Sequence, residues 1–453
     1  MGLLLGTAAA TVGVESPAAL PLRPWHLLVL IALGIALYGR FKAGPFRLFP
    51  NRWVLALDLA FSAFVVGLTV IEIVNAATLH YPAVLSSQGE PVFWFFAYTA
   101  ARFAVSDAQQ AAAALKSFVL PIFIVAPLSV AQLLRVEPVL DFTTSIVTAD
   151  GFEAKVGRDA LLRAVGLIGG WTSLGAYASG IFAIGVALLV LARSGRSPKG
   201  LIGFVLAVLL CSIVTVLTTL TASTILAFGL ILLGSLRYLR LHFSVYLSMA
   251  GMALLGVIVF HGPLLERFHQ LFAPNNRVQD WLPGWVPNTI AHRVNIWRSE
   301  TIPAIAERPW TGWGRGVYQA ALPPDSLGNS DRLVPGSLRW ASADSQWLST
   351  TMTSGLLGLL LLLALLVCAG VVVVKGMRVA EAAWLARPVG WLFFANLLIA
   401  FTAMNLTNKG FPGVIWPLIG FVVALSAFAS VEGADIADDE GVEPSPAVPA
   451  EVS

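Results

Sequence analysis

The chain has 453 residues, 57% of them hydrophobic and only 12% charged, with a formal net charge of +3 and a mean hydropathy of +0.80. A soluble globular chain carries about 25% charged residues, so a soluble fold is excluded and an all-α, polytopic integral membrane protein is expected. So small a net charge points to no nucleic-acid partner, because in such a chain the placement of Lys and Arg matters more than their sum.

Residues 1–24 lack a basic n-region and carry Glu15, so they read as a short span or interfacial segment rather than a cleaved signal. Apolar runs begin near Trp25, Trp53, Pro91 and Leu115, giving an N-terminal transmembrane bundle over 25–134. An outer loop follows over 135–172, and runs near Ser173, Gly200, Thr221 and Leu241 make a central group over 173–261. A large polar loop occupies 262–347, and runs near Leu348, Pro388 and Phe411 fill 348–430. The expectation is about eleven to twelve transmembrane helices. The acidic segment 431–453 suits a disordered tail. Cys211 and Cys368 lie inside predicted spans, form no metal-ligand spacing and read as packing residues.

If the spans alternate, the basic connections Arg40–Arg52, Arg193–Lys199, Arg237–Arg240 and Lys375–Arg387 fall on one side. The positive-inside rule makes that side cytoplasmic, together with the C-terminus, and places both polar loops outside.

The large loop is where chemistry concentrates. Between Gly262 and Trp347 stand eight Arg and no Lys, against 22 Arg and 6 Lys in the whole chain, and seven of the 14 Trp. Guanidinium suits bidentate phosphate, although a chain so rich in Arg makes the bias weak by itself. Indole faces stack on sugars but also populate membrane interfaces. The segment PNTIAHRVNIWRSETIPAIAER has helical spacing, with Asn288 or Thr289 as N-cap and Pro309 ending it near Arg308. Arg293, Trp297 and Glu300 then share a face, and Pro303 should kink or end the helix. Gly312, Gly314 and Gly316 alternate with Trp313 and Arg315, which lets backbone approach a ligand closely. This spacing follows no strand and is no nucleotide fingerprint.

Asp344 directly precedes the next apolar run. It reads as a helix N-cap or as a base, and the two roles are compatible. His269 and His292 are lone loop histidines, most simply exposed or hydrogen-bonded. Thr215–Thr224 clusters hydroxyls at a tight turn between spans, where local backbone bonding is the simplest reading. Asp58 and Glu72 lie in one predicted span and are candidates to face a cavity. Arg158 and Arg163 stand before a Gly-rich span entrance.

Three outer pieces, in order, resemble the O-antigen ligases and bacterial polysaccharide polymerases. The first is Arg163 with Gly166, similar to an Arg-x-x-Gly element. The second is Arg293-x-x-x-Trp297 with Arg308-Pro309-Trp310-Thr311-Gly312-Trp313-Gly314, similar to an Arg, Trp and Pro-x-x-Gly-x-Gly signature. The third is Asp344-Ser345-Gln346-Trp347-Leu348 with Gly355 and Gly358, similar to His-Asn-x-x-Leu followed by Gly-x-x-Gly. Asp344 stands where ligases usually carry His, which is more polymerase-like. TLTASTILA stands where members often show Ser-Arg-Gly, so no phosphate-binding role is carried over there.

The resemblance implies a multi-pass protein of the bacterial inner membrane with a periplasmic loop, acting in O-antigen, lipopolysaccharide or exopolysaccharide biosynthesis. Its substrates would be an undecaprenyl-diphosphate-linked glycan and a glycan, lipid A core or protein acceptor, with other polysaccharide-export proteins as partners. The implied roles are Asp344 as base and Arg293 and Arg163 as diphosphate or transition-state contacts. Arg315, Trp297, Trp313, Gly312, Gly314 and Arg308 would bind substrate. No cofactor or metal is implied, since the loop offers no Asp/Glu/His cluster at ligand spacing. The competing class is a transporter or flippase, which would place polar groups near the membrane midplane on discontinuous helices or show internal repeats.

Overall fold

The computed structural model describes residues 1–14, 22–42, 51–79, 85–147, 162–193, 201–239, 261–272, 288–314, 343–407 and 409–439, with isolated positions at 251, 254, 258 and 286. The protein is all-α. Among the described residues there is no strand, only an isolated bridge between Val14 and Val147.

In chain order the first helices are α1 (Gly2–Ala10), α2 (Pro24–Lys42), α3 (Arg52–Leu79), α4 (Leu85–Phe103), α5 (Ala108–Phe118), α6 (Ile122–Leu133) and α7 (Glu137–Ile146). The central helices are α8 (Trp171–Arg193), α9 (Leu201–Thr218) and α10 (Ala222–Leu239). The polar region holds α11 (His261–Phe272), α12 (Asn288–Ile296), a π-helical turn (Trp297–Thr301) and α13 (Ile302–Glu307). The chain closes with α14 (Gln346–Gly376), α15 (Ala380–Ile399) and α16 (Gly410–Asp439).

Among the described residues eight segments are long and apolar enough to cross a membrane: α2, α3, α5 with α6, α8, α9, α14, α15, and Gly410–Ala427 of α16. The sequence suggested about eleven to twelve. Of the remainder, α4 carries Gln88, Glu90 and Pro91 in its first turns, the apolar part of α10 is short, and the run at Leu241 lies outside the described residues. The expected boundary at Pro388 moves. Helix α15 starts at Ala380 and contains Pro388, so the connection after Gly376 is three residues long and Arg387 is helical. Helix α16 continues to Asp439, past the expected start of the tail, and 440–453 lie outside the described residues.

Helix α8 is the hub. Its sequence sets Gly175, Gly180 and Gly185 against Thr224 of α10, Val414 of α16 and Leu209 of α9. Small residues on several faces let four neighbours, α9, α10, α15 and α16, pack around it, and almost its whole length is buried. One end of the bundle gathers the last residues of α3, α6, α9 and α15 with the first of α8, α10, α14 and α16. There Gln346 N donates to Ala400 O at 2.8 Å and Ala164 N to Thr218 O at 3.1 Å. This is the end that carries the polar segments.

Candidate functional site

Helix α14 is broken nine residues in. Gly355 has φ 67 and ψ −172, which interrupts the i to i−4 ladder and would leave two carbonyls and two N–H groups without helical partners. In a membrane each such group costs several kcal/mol if left unsatisfied. The segment Pro309–Gly314 fills the gap. Trp313 N donates to Met352 O at 2.9 Å and Gly314 N to Thr353 O at 2.8 Å, while Leu356 N donates to Pro309 O at 2.7 Å and Leu357 N to Trp310 O at 3.3 Å. Gly312 and Gly314 have φ +66 and +80, the left-handed region that glycine enters freely. The close backbone approach expected of these glycines is therefore made to α14 itself. The break is sealed by protein backbone and does not aim bare helix ends at a cavity, as a transporter's discontinuous helix does.

The same segment is fastened to α3. Buried Asn75 donates Nδ2 to Thr311 O at 2.7 Å, and Arg308 Nη2 reaches Thr78 Oγ1 at 3.3 Å. Trp313 is 8% exposed, donates Nε1 to Ala304 O at 2.9 Å, and has the Arg308 guanidinium 5.5 Å from its ring centroid. Trp313 and Arg308 thus brace the loop, and Trp313 offers no open face for a sugar. The exposed indole here is Trp310, at 63%.

Upstream, Pro303 does not end the helix. The five-residue π-turn Trp297–Thr301 takes up its missing N–H, and helix resumes as α13 with the proline in its first turn. Such turns cluster at functional sites. Here it aims Trp297, whose Nε1 donates to Ala343 O, one residue before Asp344. One turn earlier, Arg293 Nε meets Asp344 Oδ2 at 3.4 Å. Asp344 has φ 48. The N-cap of α14 is Ser345, which makes no side-chain capping bond, so the capping role considered for Asp344 is displaced by one residue.

Arg163 arrives from the segment that precedes α8. Gln132 of α6, fully buried, accepts from Val165 N and Gly166 N at 3.0 Å each through Oε1, with Gly166 at φ 57. The Arg163 guanidinium lies 3.7 Å from the Trp171 ring centroid. Burial, then the positive charges of Arg267 and Arg293, push its pKa down to about 10, while Asp344 acts in the opposite direction. These couplings place Arg163, Arg267, Arg293 and Asp344 in one neighbourhood.

Arg267, on α11, is one of the eight arginines between Gly262 and Trp347, and its local sequence assigns it no role. Its Nε donates to Leu220 O at 3.3 Å, at the turn whose Thr218 carbonyl holds Ala164. Burial and Arg293 lower its pKa as well. That turn is built as expected of Thr215–Thr224: Thr218 Oγ1 bonds Thr215 O and Thr221 Oγ1 bonds Thr219 O, at 2.8 and 2.9 Å.

Arg315, Gly316 and Arg158 lie outside the described residues. His269 and His292 are exposed. The result is a neighbourhood of three guanidiniums, two of which, Arg293 and Arg163, also sense the Asp344 carboxylate, held by four segments at one end of the bundle. Such a cluster can bind a polyanion and hold an oxygen base beside it.

No curated protein is similar enough to the chain to count as a match. Residues 207–363, about a third of the chain and including Arg267, Arg293, Trp297 and Asp344, match the family model described as O-antigen ligase. Over that segment the chain is similar to the O-antigen ligases, which supports the resemblance to the O-antigen ligase/polymerase superfamily.

Proposed function

We propose that the protein is a membrane glycosyltransferase that polymerises lipid-diphosphate-linked oligosaccharide in O-antigen or exopolysaccharide biosynthesis. The observation that carries this reading is the ion pair of Arg293 with Asp344, with Arg163 close enough to feel both and Arg267 close enough to feel Arg163 and Arg293. The family match over residues 207–363 supports the coarse activity, a ligase- or polymerase-type membrane glycosyltransferase.

In the proposed step an acceptor hydroxyl attacks the anomeric carbon of the donor sugar. The hydroxyl proton passes to Asp344, the new C–O bond forms, and the bond to the diphosphate breaks with its electron pair on polyprenyl diphosphate. The three arginines take the charge that develops on this leaving group. Trp297 contributes by fixing Ala343, hence the direction of the Asp344 backbone. The basic connections would face the cytoplasm of a bacterial inner membrane and the site the periplasm.

Ligation to lipid A core or protein is the second reading, favoured by the description of the matching family model. Asp344 in place of the usual ligase His favours polymerisation. Purified protein given undecaprenyl-diphosphate glycan should lengthen it, with or without EDTA, and Arg293→Lys should lose at least about tenfold because an ammonium cannot form the fork. Surface polysaccharide after deletion separates the readings. Single repeats on lipid A core mean a polymerase, and full-length lipid-linked glycan without acceptor means a ligase. Unchanged polysaccharide removes both.

A further inference from the structure

The opposite end of the bundle holds a charge pair that glycosyl transfer does not use. Asp58 of α3 and Arg102 of α4 form an ion pair of 2.7 Å, with side chains 13% and 7% exposed. The buried Tyr98 hydroxyl donates to the second carboxylate oxygen at 2.9 Å. A cavity of about 240 Å³ opens beside them, floored by Asp58 and Arg102 and walled by Leu55, Leu59, Phe95 and Phe103.

Its depth follows from Trp53, whose ring carries the Arg52 guanidinium at 4.8 Å and the Lys375 ammonium at 5.2 Å. An indole among cations marks a membrane interface. Asp58 lies five residues further along α3, about 8 Å deeper, and about 25 Å from Asn75 at the site end. Leu55 and Leu59 are 37% and 61% exposed, so the cavity opens sideways to lipid.

A buried charge pair at this depth is expensive, and apolar walls over a charged floor fit an amphiphile. Because the two charges oppose one another, an anionic head would meet Asp58 and a cationic head Arg102, whereas a head with both signs complements both. An ionised carboxylate also has about four acceptor sites, beyond the two used by Tyr98 and Arg102. We propose that this cavity binds a zwitterionic, phosphoethanolamine-type phospholipid from the bilayer. Its phosphate accepts from Arg102, its ammonium donates to Asp58, and an acyl chain lies along Leu55, Leu59 and Phe95. The volume falls below the roughly 300 Å³ at which small-molecule pockets begin, enough for a head group and too small for a glycan repeat.

Native mass spectrometry of the full chain in detergent, with phosphatidylethanolamine and phosphatidylglycerol at equal concentration, tests this. The wild type should retain one phosphatidylethanolamine about tenfold better than phosphatidylglycerol, and Arg102→Gln should remove that preference. Ser62→Trp fills the cavity from an exposed lining position and leaves the ion pair intact, so it should abolish retention even if Arg102→Gln fails to fold. Equal retention of both lipids, a preference for the anionic one, or undiminished retention by Ser62→Trp would overturn the proposal.

Discussion

Gly355 of the broken helix stands so close to Trp310 that a Cβ built on it would lie 2.0 Å from the Trp310 carbonyl oxygen. The loop backbone occupies the space a side chain would need, and Gly355 also has φ +67. Both constraints exclude any other residue. Gly355→Ala should therefore cost at least about 3 kcal/mol, read as a lowered melting temperature in detergent. Gly203→Ala is the control, since nothing lies within 4 Å of its Cβ position, and it should gain about 0.5–1 kcal/mol as a helix-interior replacement. Equal melting of the two variants would mean that the loop does not hold α14 open.

Asp344 sits at φ 48, a region that Asn tolerates and most residues avoid. Asp344→Asn consequently changes the charge and spares the backbone, whereas Asp344→Ala changes both. If the carboxylate takes the hydroxyl proton, the Asn variant should insert and melt normally while glycan transfer falls about 10²- to 10⁴-fold. Normal transfer by that variant would eliminate Asp344 as the base.

The eight spans among the described residues coincide with apolar runs in the sequence, because runs of membrane length have few other uses, and the order of Arg163, Arg293 and Asp344 made them candidates that the fold brings into one neighbourhood. Arg267 was not legible. Nothing in its local pattern distinguishes it from neighbouring arginines, and its place depends on the Leu220 carbonyl, 47 residues away in sequence. The role of Gly312-Trp313-Gly314 was also hidden. Alternating glycines announce close approach to something, but only the break at Gly355 shows that the partner is the protein's own helix. The continuation of the helix past Pro303 was hidden for a related reason, because a π-turn accommodates the missing donor and the helix resumes with the proline in its first turn.

Glu300, in that π-turn, keeps Oε2 buried with no hydrogen-bond partner among the described residues. Burial raises its carboxyl pKa above the ordinary value, partly offset by His292. For an acid whose pKa is raised on folding, the ionised form is the one penalised, so stability is lost as pH rises through the carboxylate range. Glu300→Gln should therefore melt higher than wild type at neutral pH, with the gain vanishing below that range, where both forms are neutral. A gain that persists in acid would assign the effect to packing.

Arg163 offers a sharper pH test, because its folded value of about 10 is set first by burial and then by two other guanidiniums. The charged form is disfavoured in the unliganded fold, a penalty relieved only as pH rises through about 10. Anion binding has the opposite sign, since it needs the charge and fades over the same interval. Affinity for undecaprenyl diphosphate, followed by equilibrium binding in detergent, should show no Arg163-linked change from about pH 7 to 9 and should weaken above about 10. Arg163→Lys places an ammonium, with an ordinary pKa about two units or more lower, under the same burial and the same neighbours. Its break should fall by about that interval, into the range where the wild type is flat. An identical break in both proteins would show that Arg163 is not a cation the diphosphate senses.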